Sequence, residues 1–554
     1  MSNTDNSAEA TADTPAEEGQ KGILGAVERI GNKVPHPALM FAYLILFIIV
    51  LSWGLQLAGV SVTEEVVVPV GSGAEYDYFE DSTLPTVSAP DHPDEWKIVE
   101  QVIPIKSLIS IEGIRFIFSS FVNNFAGFAV IGVTFVAMMG AGVAEESGLL
   151  GSLIRKLVRA APKWALTFIL VLTGVLSSAA SDAGYLILIP LSAAAFASIG
   201  RHPLAGLATG FAGVATIFMV NLIPTPIDAM ITEIANEAIE VTGGQPISIV
   251  ANYWFMIASS LIMAFVAALV TERLVEPRLG PWEPDEKTAA HAEEVAAISP
   301  EDDKRGNRMA LFGFLSVVAI VVAITAPPGA PLRDPENGNI IGQTPFMDSL
   351  LFIIMLAFLV SGICYGIGAK TMKGSGDVIT AITKTFAGLG GMVLMLMMIS
   401  QFIALFNWSN LPPVIAGSLA ELLEQANIGA VPLLIGFILV IVLLDFIMPG
   451  SLPKWAIFAP IFVPLFIRLG VAPQTLLAAY RVADSPVNAL TPLMVYLPFI
   501  VTVAQRYQKK AGIGTVVALM LPYSGVILVA WTVLFIAWFL LGIPLGPGYP
   551  PNVP

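Results

Sequence analysis

The sequence has 554 residues, of which 56% are hydrophobic and only 12% charged, and its formal net charge is −15. Because soluble domains carry roughly 25% charged residues, the composition excludes an ordinary soluble protein, and recurring apolar runs of about 18 residues or more predict an all-α polytopic membrane protein. The acidic balance offers no basic surface for nucleic acid, and the single cysteine, Cys364, excludes an internal disulfide and a cysteine metal cluster.

The N-terminal region sets the orientation of the chain. Residues 1–20 are rich in Ala, Glu, Asp and Thr and lack an apolar core, which predicts a disordered tail rather than a cleavable signal peptide. Residues 21–554 form the predicted membrane domain. Lys21, Arg29 and Lys33 precede the first span, so the positive-inside rule places the N-terminus and its tail in the cytoplasm of a plasma (inner) membrane protein.

Nine membrane spans are predicted in chain order. They lie near residues 37–57, 125–143, 204–223, 249–269, 310–324, 346–366, 379–406, 475–503 and 516–541. Between the first two spans, residues 61–100 carry ten carboxylates against Lys97 alone, as suits an outer loop, whereas the basic loop at about residues 272–308 is cytoplasmic. This alternation leaves the C-terminus outside.

Two further apolar segments are interrupted by polar tips. The first, residues 164–200, carries the run Ser177–Gly184 and is flanked on both sides by basic residues, Lys163 and Arg201. Its first arm, residues 164–177, would be a helix about 21 Å long, which is too short to cross the bilayer comfortably. We predict a re-entrant hairpin here, although two short full spans would give the same charge pattern. A second hairpin is predicted over residues 431–469.

The two hairpin regions align without gaps at a constant difference of 270. The matching pairs are Tyr185 and Trp455, Pro190 and Pro460, Phe196 and Phe466, Gly200 and Gly470, and Pro203 and Pro473. Together with the opposite sidedness indicated by Lys and Arg, this predicts an inverted repeat, with repeat 1 at about residues 124–226 and repeat 2 at about 379–503. Secondary transporters use this plan for alternating access. The sequence contains no P-loop motif, so ATP-driven transport is unsupported.

Polar groups at the first tip are candidate ligands. An ionisable group at the centre of a membrane helix costs roughly 2.5–3.5 kcal/mol, so each one predicted at depth is a functional candidate. Ser178, Ser181 and Asp182 would add oxygen atoms suited to a sodium ion or a polar substrate. The alternative is that the serines cap the second arm and Asp182 complements its dipole. Asn221, beside a double-proline break, is either a ligand or a partner for freed backbone groups.

The second tip adds further candidates. Asp445 ends the first arm and is an alternative place for a sodium site, while Ser451, Lys454 and Trp455 open the return arm. Trp455 and Tyr185 would either stack on an aromatic substrate or act as interfacial anchors.

The helix that follows the second hairpin carries two opposite charges. Arg481 and Asp484 lie three residues apart, hence on one face, where they would pair. Such a pair either only fixes packing, or Arg481 binds a substrate carboxylate while Asp445 or Asp484 exchanges a proton or coordinates an ion. Pro486 and Pro492 are expected to interrupt this helix.

These residues resemble the p-aminobenzoyl-glutamate transporter (AbgT) family. The segments that carry the resemblance are Ala180-Ser181-Asp182-Ala183-Gly184-Tyr185, Asn407-Trp408, Lys454-Trp455-Ala456 and Tyr480-Arg481-Val482-Ala483-Asp484-Ser485. The resemblance implies a bowl-shaped homodimer with nine spans and two hairpins per subunit. It also implies a site at Asp182, Asn221, Trp455, Pro473, Arg481, Asp484 and Pro492. This chain departs from the family pattern at Asp445, where an Asn is expected, and at Leu452, where a Ser is expected.

The expected function is secondary active transport of p-aminobenzoyl-glutamate or sulfonamide-like antimetabolites, driven by a proton or sodium gradient, without a cofactor or a metal centre. The partners are membrane lipid, a second copy of the chain and an aromatic anion. One alternative is a sodium-coupled carrier of dicarboxylates or other small organic anions. A membrane-embedded hydrolase that uses Asp182 and Asp484 is a weaker alternative, since the sequence supplies no water-activating metal site and no nucleophile constellation.

Overall fold

Helices make up almost all of the secondary structure. The computed structural model describes residues 37–69, 96–178, 184–282, 299–340, 344–425, 429–446, 450–491, 494 and 496–553. Eight helices within these ranges are long and apolar enough to cross a membrane. They span Ala38–Leu57, Ile111–Glu146, Tyr253–Leu279, Pro300–Thr325, Leu350–Gly368, Gly390–Trp408, Ser451–Arg468 and Ile513–Leu540. Seven of them overlap predicted spans, and the eighth is the return arm of the second hairpin.

The first half of the described chain contains eight main helices and one β-ribbon. In chain order the elements are α1 (Pro37–Leu57), β1 (Ser61–Pro69), β2 (Trp96–Pro104), α2 (Ile111–Ala126), α3 (Ala129–Glu146), α4 (Leu149–Ala160), α5 (Leu166–Ser177), α6 (Ile189–Ser198), α7 (Pro203–Phe211) and α8 (Pro226–Glu240). A π-helical turn over Gly184–Leu188 precedes α6, and a second one over Ala212–Thr216 extends α7.

The second half is helical throughout its described elements. They are α9 (Tyr253–Val270), α10 (Glu276–Leu279), α11 (Pro300–Thr325), α12 (Pro345–Asp348), α13 (Leu350–Gly368), α14 (Ser375–Gly388), α15 (Gly390–Trp408), α16 (Leu411–Gln425), α17 (Ala430–Asp445), α18 (Ser451–Arg468), α19 (Pro473–Asp484), α20 (Leu497–Tyr507) and α21 (Ile513–Leu540). The predicted span at 379–406 is therefore divided at Leu389 between α14 and α15.

The β-ribbon corrects the expectation of an all-α fold. Strands β1 and β2 pair antiparallel, with Ser61 opposite Pro104 and Pro69 opposite Trp96. Both strands are rich in β-branched residues, which favour extended backbone. The abundance of acid in this region indicated a loop and concealed the strand signal.

Two of the predicted spans are broken, as their prolines predict. The helix that begins at α7 ends at Thr216, and α8 begins only at Pro226, after a segment that contains Pro224. Likewise α19 ends at Asp484, and the next helix, α20, begins at Leu497. Pro486 lies two residues after the end of α19 and explains that break, because proline lacks an amide donor and clashes with the preceding turn, whereas the helix begun at α7 already ends eight residues before Pro224. The breaks leave free backbone groups on both sides of the candidate site.

The same turn ends the return arm of both predicted hairpins. Gly200 and Gly470 both have φ of +76°, a left-handed conformation that favours glycine. In each turn the amide of the next residue donates to the carbonyl of Phe196 or Phe466 at 2.9 Å. A proline three residues after the glycine then begins α7 or α19. The local backbone thus repeats at the offset of 270, while the opposite orientation of the repeats stays a prediction.

Helix α8 connects the two halves of the fold. It packs against α3 of the first repeat and against α18 of the second. Its later turns carry Glu233, Glu237 and Glu240, and α8 does not belong to the eight long apolar helices. Burial, together with the charges of Glu240 and Glu233, raises the pKa of Glu237 to about 7.

The raised pKa of Glu237 predicts pH-dependent stability. The folded state holds this proton more tightly than the unfolded state, so the stabilisation is complete below about pH 4 and is lost as pH rises through about 7. At pH 8 we expect Glu237→Gln to have a higher melting temperature than the wild type and an unfolding free energy larger by up to about 3 kcal/mol. At pH 5 we expect the two proteins to have similar melting temperatures. Thermal unfolding in detergent across this range measures it, with Glu336→Gln at an exposed loop as the control. Equal pH profiles for wild type and Glu237→Gln would contradict it.

Candidate substrate and ion site

A buried ion cluster joins the two arms of the predicted second hairpin. Asp445 is the last residue of α17, and Gly450, with φ of +102°, turns the chain into α18, which begins at Ser451. The Lys454 Nζ atom forms an ion pair with Asp445 Oδ1 and lies 2.6 Å from Asp484 Oδ1. All three side chains are fully buried. One ammonium is therefore shared between two carboxylates, and one of these is carried by α19.

Neutral hydroxyl groups donate hydrogen bonds to the carboxylate of Asp484 but not to that of Asp445. The Ser451 hydroxyl donates to Asp484 Oδ2 at 2.5 Å, and the Tyr480 hydroxyl lies 3.2 Å from Asp484 Oδ1 while donating to the Ser451 carbonyl at 2.5 Å. Asp445 Oδ2 is buried and has no hydrogen-bond partner among the described residues. The cluster thus brings two carboxylates to one ammonium, and Asp445 keeps the one carboxylate oxygen that has no described partner.

Trp455 lies inside the protein rather than at an interface. Its ring centroid is 4.7 Å from that of Tyr480, and its indole Nε1 donates to the carbonyl of Ile231 on α8 at 2.9 Å. Because Trp455 is fully buried, the structure contradicts the alternative of an interfacial anchor for this residue. Tyr185 likewise stacks on another ring, that of Tyr496, at 4.5 Å.

Arg481 pairs with Asp228, and the expected pair with Asp484 is wrong. The guanidinium Nη1 binds Asp228 Oδ1 and also donates to the Met219 carbonyl at 2.8 Å. Arg481 extends from α19 towards the start of α8 and the break after α7, while Asp484 faces Lys454 across the hairpin. The spacing of three residues placed both charges on one face correctly but could not choose between partners on other helices.

The partner of Arg481 is itself held in place. Asp228 is the third residue of α8, and its Oδ2 atom accepts from the Thr225 amide at 2.7 Å and from the Thr225 hydroxyl at 2.6 Å. This is a capping box, which fixes the start of the helix after the double-proline break. The other carboxylate oxygen is then left for Arg481. The guanidinium Nη2 atom is buried without a partner among the described residues.

The first tip provides a backbone cap. Asn221 Nδ2 donates to the Val175 carbonyl and to the Ser178 hydroxyl, both at 2.9 Å, and its Oδ1 accepts from the Leu222 amide at 2.7 Å. Ser178 also donates to the Val175 carbonyl at 2.9 Å. These contacts favour the second interpretation of Asn221, in which its amide satisfies the backbone groups freed at the end of α5. Ser181 and Asp182, with the sodium site considered near Asp182, lie outside the described residues.

The remaining candidates are placed as follows. The break after α7 meets the end of α19, since the Met219 amide donates to the Ser485 hydroxyl at 3.1 Å. Pro473 begins α19, eight residues or about 12 Å along the helix from Arg481, so it does not join the charged cluster. Pro492 lies outside the described residues.

Comparison with known proteins identifies the chain. The sequence model described as the AbgT putative transporter family matches residues 22–553. The chain belongs to the AbgT family.

Individual AbgT relatives match over nearly their full length. The p-aminobenzoyl-glutamate transport protein of Escherichia coli K12 is 32% identical over 532 residues, which is 96% of this chain and 97% of that protein. Among solved structures, the Alcanivorax borkumensis YdaH transporter is 35% identical with a TM-score of 0.81, covering 93% of this chain and 100% of that one. Neisseria gonorrhoeae MtrF, described as illuminating a class of antimetabolite efflux pumps, is 35% identical with a TM-score of 0.84, covering 96% and 100%.

The AbgT site includes residues to which the sequence reasoning gave no role. Asp228 was not among the predicted site residues, although Thr225, Pro226 and Asp228 follow the sequence pattern of a capping box. Tyr480 lies within a quoted motif without an assigned function. Asn252 had no signal in the sequence, because its role depends on a contact between α9 and α19.

Asn252 links α9 to α19, and its replacement tests whether substrate binding needs a fixed Arg481 guanidinium. Its Nδ2 donates to the Gln474 carbonyl at 2.7 Å, and its Oδ1 accepts from Arg481 Nε at 3.1 Å. We expect Asn252→Ala to raise the KM for an anionic substrate about 10-fold, with a smaller change in maximal rate, because the guanidinium loses one of its fixed contacts. Uptake kinetics measure this split.

The control for this prediction is Asn236→Ala. The Asn236 side chain makes the same kind of double contact, to the Ile247 carbonyl and amide at 3.1 and 2.8 Å, but does not touch Arg481. We expect this variant to affect stability without changing KM. An equal rise of KM in both variants would assign Asn252 a purely structural role.

Proposed function

We propose that this AbgT transporter moves p-aminobenzoyl-glutamate, or an antimetabolite with a similar aromatic carboxylate, by secondary active transport. The name of the Escherichia coli relative supports this substrate class, and the description of MtrF supports antimetabolites. The arrangement of buried charges beside aromatic rings supports a substrate that has both an anionic and an aromatic part.

The observation that carries the proposal is the unused donor of Arg481. A buried charged donor without a partner costs several kcal/mol relative to a bonded one. Nη1 and Nε of Arg481 are engaged by Asp228, Met219 and Asn252, while Nη2 remains available. A substrate carboxylate that binds Nη2 satisfies the donor, and the fixed guanidinium has already lost its conformational freedom.

An aromatic surface adjoins this anchor. Tyr480 precedes Arg481 on α19, and Trp455 lies against Tyr480 from α18. Offset or edge contacts between aromatic rings contribute about 0.5–1.5 kcal/mol beyond burial. The Trp455 indole donates to the Ile231 carbonyl, one turn after Asp228 on α8, so we propose that the benzoyl ring of the substrate packs near Trp455 when its glutamate carboxylate reaches Arg481.

The charge balance of the hairpin cluster favours proton coupling. Asp445 and Asp484 share the single ammonium of Lys454, and Asp445 Oδ2 has no described partner. A proton on Asp445 neutralises the excess charge and supplies a donor. A sodium ion at the same place would have to displace the ammonium that already lies between the carboxylates. We therefore propose H⁺ as the coupling ion, taken up at Asp445.

The site lies where both broken helices meet. The segment after α7 and the end of α19 touch through Met219 and Ser485, and inverted-repeat transporters place their substrates between such interrupted helices. Alternating access would then move one hairpin relative to the other around Arg481. The homodimer implied by the family resemblance is retained as a proposal, and cross-linking in membranes would test it.

Proteoliposome uptake tests the proposal. Labelled p-aminobenzoyl-glutamate is offered under an imposed proton gradient or an imposed sodium gradient, one at a time. We expect accumulation with the proton gradient only. Accumulation with sodium alone would refute the proposed coupling ion but keep the substrate. Accumulation of a succinate-like dicarboxylate, without flux of the aromatic anion, would favour the dicarboxylate carrier instead.

A further inference from the structure

Helix α4 and the turn after it present an apolar surface that no other described residue covers. Leu153 and Leu157 are 44% and 41% exposed, and Trp164, four residues past the helix end, is 86% exposed. At 3.6 residues per turn, the two leucines lie about 40° apart around the helix axis. Together with Trp164 they are three exposed apolar side chains within twelve residues.

Three basic side chains lie on the surface next to these apolar residues. Lys156, Arg159 and Lys163 are exposed, and none of them forms an ion pair with a carboxylate of the described residues. Lys156 and Arg159 are three residues apart and so lie on one side of the helix. A fourth cation, Arg155, is half-buried instead and lies 3.8 Å from Asp303 on α11. The protein therefore uses one cation internally and leaves three pointing outwards.

The surface lies at the base of the first hairpin. Gly151 of α4 approaches the segment after the tip so closely that a Cβ atom there would lie 3.0 Å from the Ile187 side chain. Trp164 lies two residues before α5, the first arm. Helix α4 is short and amphipathic, with its buried face against the protein, and it does not belong to the spans. A short amphipathic helix beside the membrane spans is typical of a helix that lies in the plane of the membrane interface.

We propose that Leu153, Leu157 and Trp164 enter the acyl boundary while Lys156, Arg159 and Lys163 bind the headgroups of anionic phospholipids. The chain has a net charge of −15, so an anionic surface is attracted by this basic face and not by the protein as a whole. Basic residues beside an interfacial apolar face bind anionic lipid, each contributing roughly a fivefold preference over zwitterionic lipid. Anionic lipid thereby anchors the base of the first hairpin.

Quenching of Trp164 by brominated lipids tests the proposal without a transport assay. The full-length protein is reconstituted with brominated phosphatidylglycerol or with brominated phosphatidylcholine at equal mole fraction. The fluorescence difference between wild type and Trp164→Phe isolates this tryptophan. We expect stronger quenching by the anionic lipid, with a preference that falls as ionic strength rises. The triple variant Lys156→Gln/Arg159→Gln/Lys163→Gln is expected to lose this preference, by up to about a hundredfold in relative affinity.

A matched variant separates the site from general charge. Arg506, Lys509 and Lys510 are also exposed, and Arg506→Gln/Lys509→Gln/Lys510→Gln removes the same charge elsewhere. We expect it to keep the Trp164 preference, and size-exclusion profiles show that both variants are folded. Equal quenching by both lipids in the wild type, or a preference that survives the first triple variant, would overturn the proposal. Quenching by aqueous iodide alone would place the surface in water, and shielding from both agents would indicate a protein partner instead.

Discussion

Replacing Arg481 together with its partner, as Arg481→Gln/Asp228→Asn, is expected to lower the affinity for an aromatic carboxylate roughly 100-fold or more while leaving a folded protein. The single variant Arg481→Gln would leave Asp228 buried and unpaired, which costs about 3–5 kcal/mol and confuses loss of binding with loss of folding. The double variant removes both charges of a fully buried pair. Since Asp228 also caps α8 through Thr225, a loss of affinity reports the missing anchor at Nη2 when the double variant keeps the melting temperature of the wild type.

Substrate analogues show whether the anchor acts on the carboxylate. We expect the wild type to discriminate strongly against an analogue in which the glutamate carboxylates are amidated, since removing one partner of a buried charge pair costs about 2–5 kcal/mol. The double variant is expected to bind both compounds equally weakly. Arg333→Gln is the control, because this arginine also donates to backbone carbonyls but lies in the loop after α11. Normal affinity and normal discrimination in the double variant would assign the pair to packing alone.

The sequence predicted which charged residues are buried better than it predicted their partners. Apolar run lengths and prolines predicted most of the long helices and both broken ones, because span length and helix breaking are local properties. The local pattern also indicated Asp445, Lys454, Arg481 and Asp484, which the structure shows buried and paired, since charges within apolar runs are costly wherever they occur.

The partners of these charged residues could not be predicted from local sequence patterns. Arg481 binds Asp228, which lies 253 residues earlier, and Asn252 reaches Arg481 across a helix interface. The spacing of Arg481 and Asp484 predicted a pair because only intrahelical neighbours are visible in one sequence. Lys454 on α18 competes for Asp484, and this contact exists only once the turn at Gly470 has brought the end of α19 back to the start of α18.

Replacing Asp445 by asparagine is the change with the largest expected effect on energy coupling. Asparagine has nearly the same volume and can still accept from Lys454, but it carries no exchangeable acidic proton. The cluster then contains one ammonium and one carboxylate, Asp484, and is neutral at every step of the cycle. We expect accumulation driven by a proton gradient to fall to simple equilibration, while exchange of labelled for unlabelled substrate continues. Thermal stability should be unchanged or higher, because a buried uncompensated charge is removed.

Flux measurements in proteoliposomes separate this outcome from a loss of binding. Counterflow without any gradient reports substrate binding and movement, whereas concentrative uptake under an imposed pH difference reports coupling. Asp348→Asn, at an exposed position, is the control and should retain both activities. If Asp445→Asn still concentrates substrate with the proton gradient, the proton is carried elsewhere, and the lone carboxylate oxygen of Asp445 is structural. If Asp445→Asn instead concentrates substrate only with a sodium gradient, the carboxylate of Asp445 selects the coupling ion. Its replacement would then have changed which cation the hairpin binds beside Lys454.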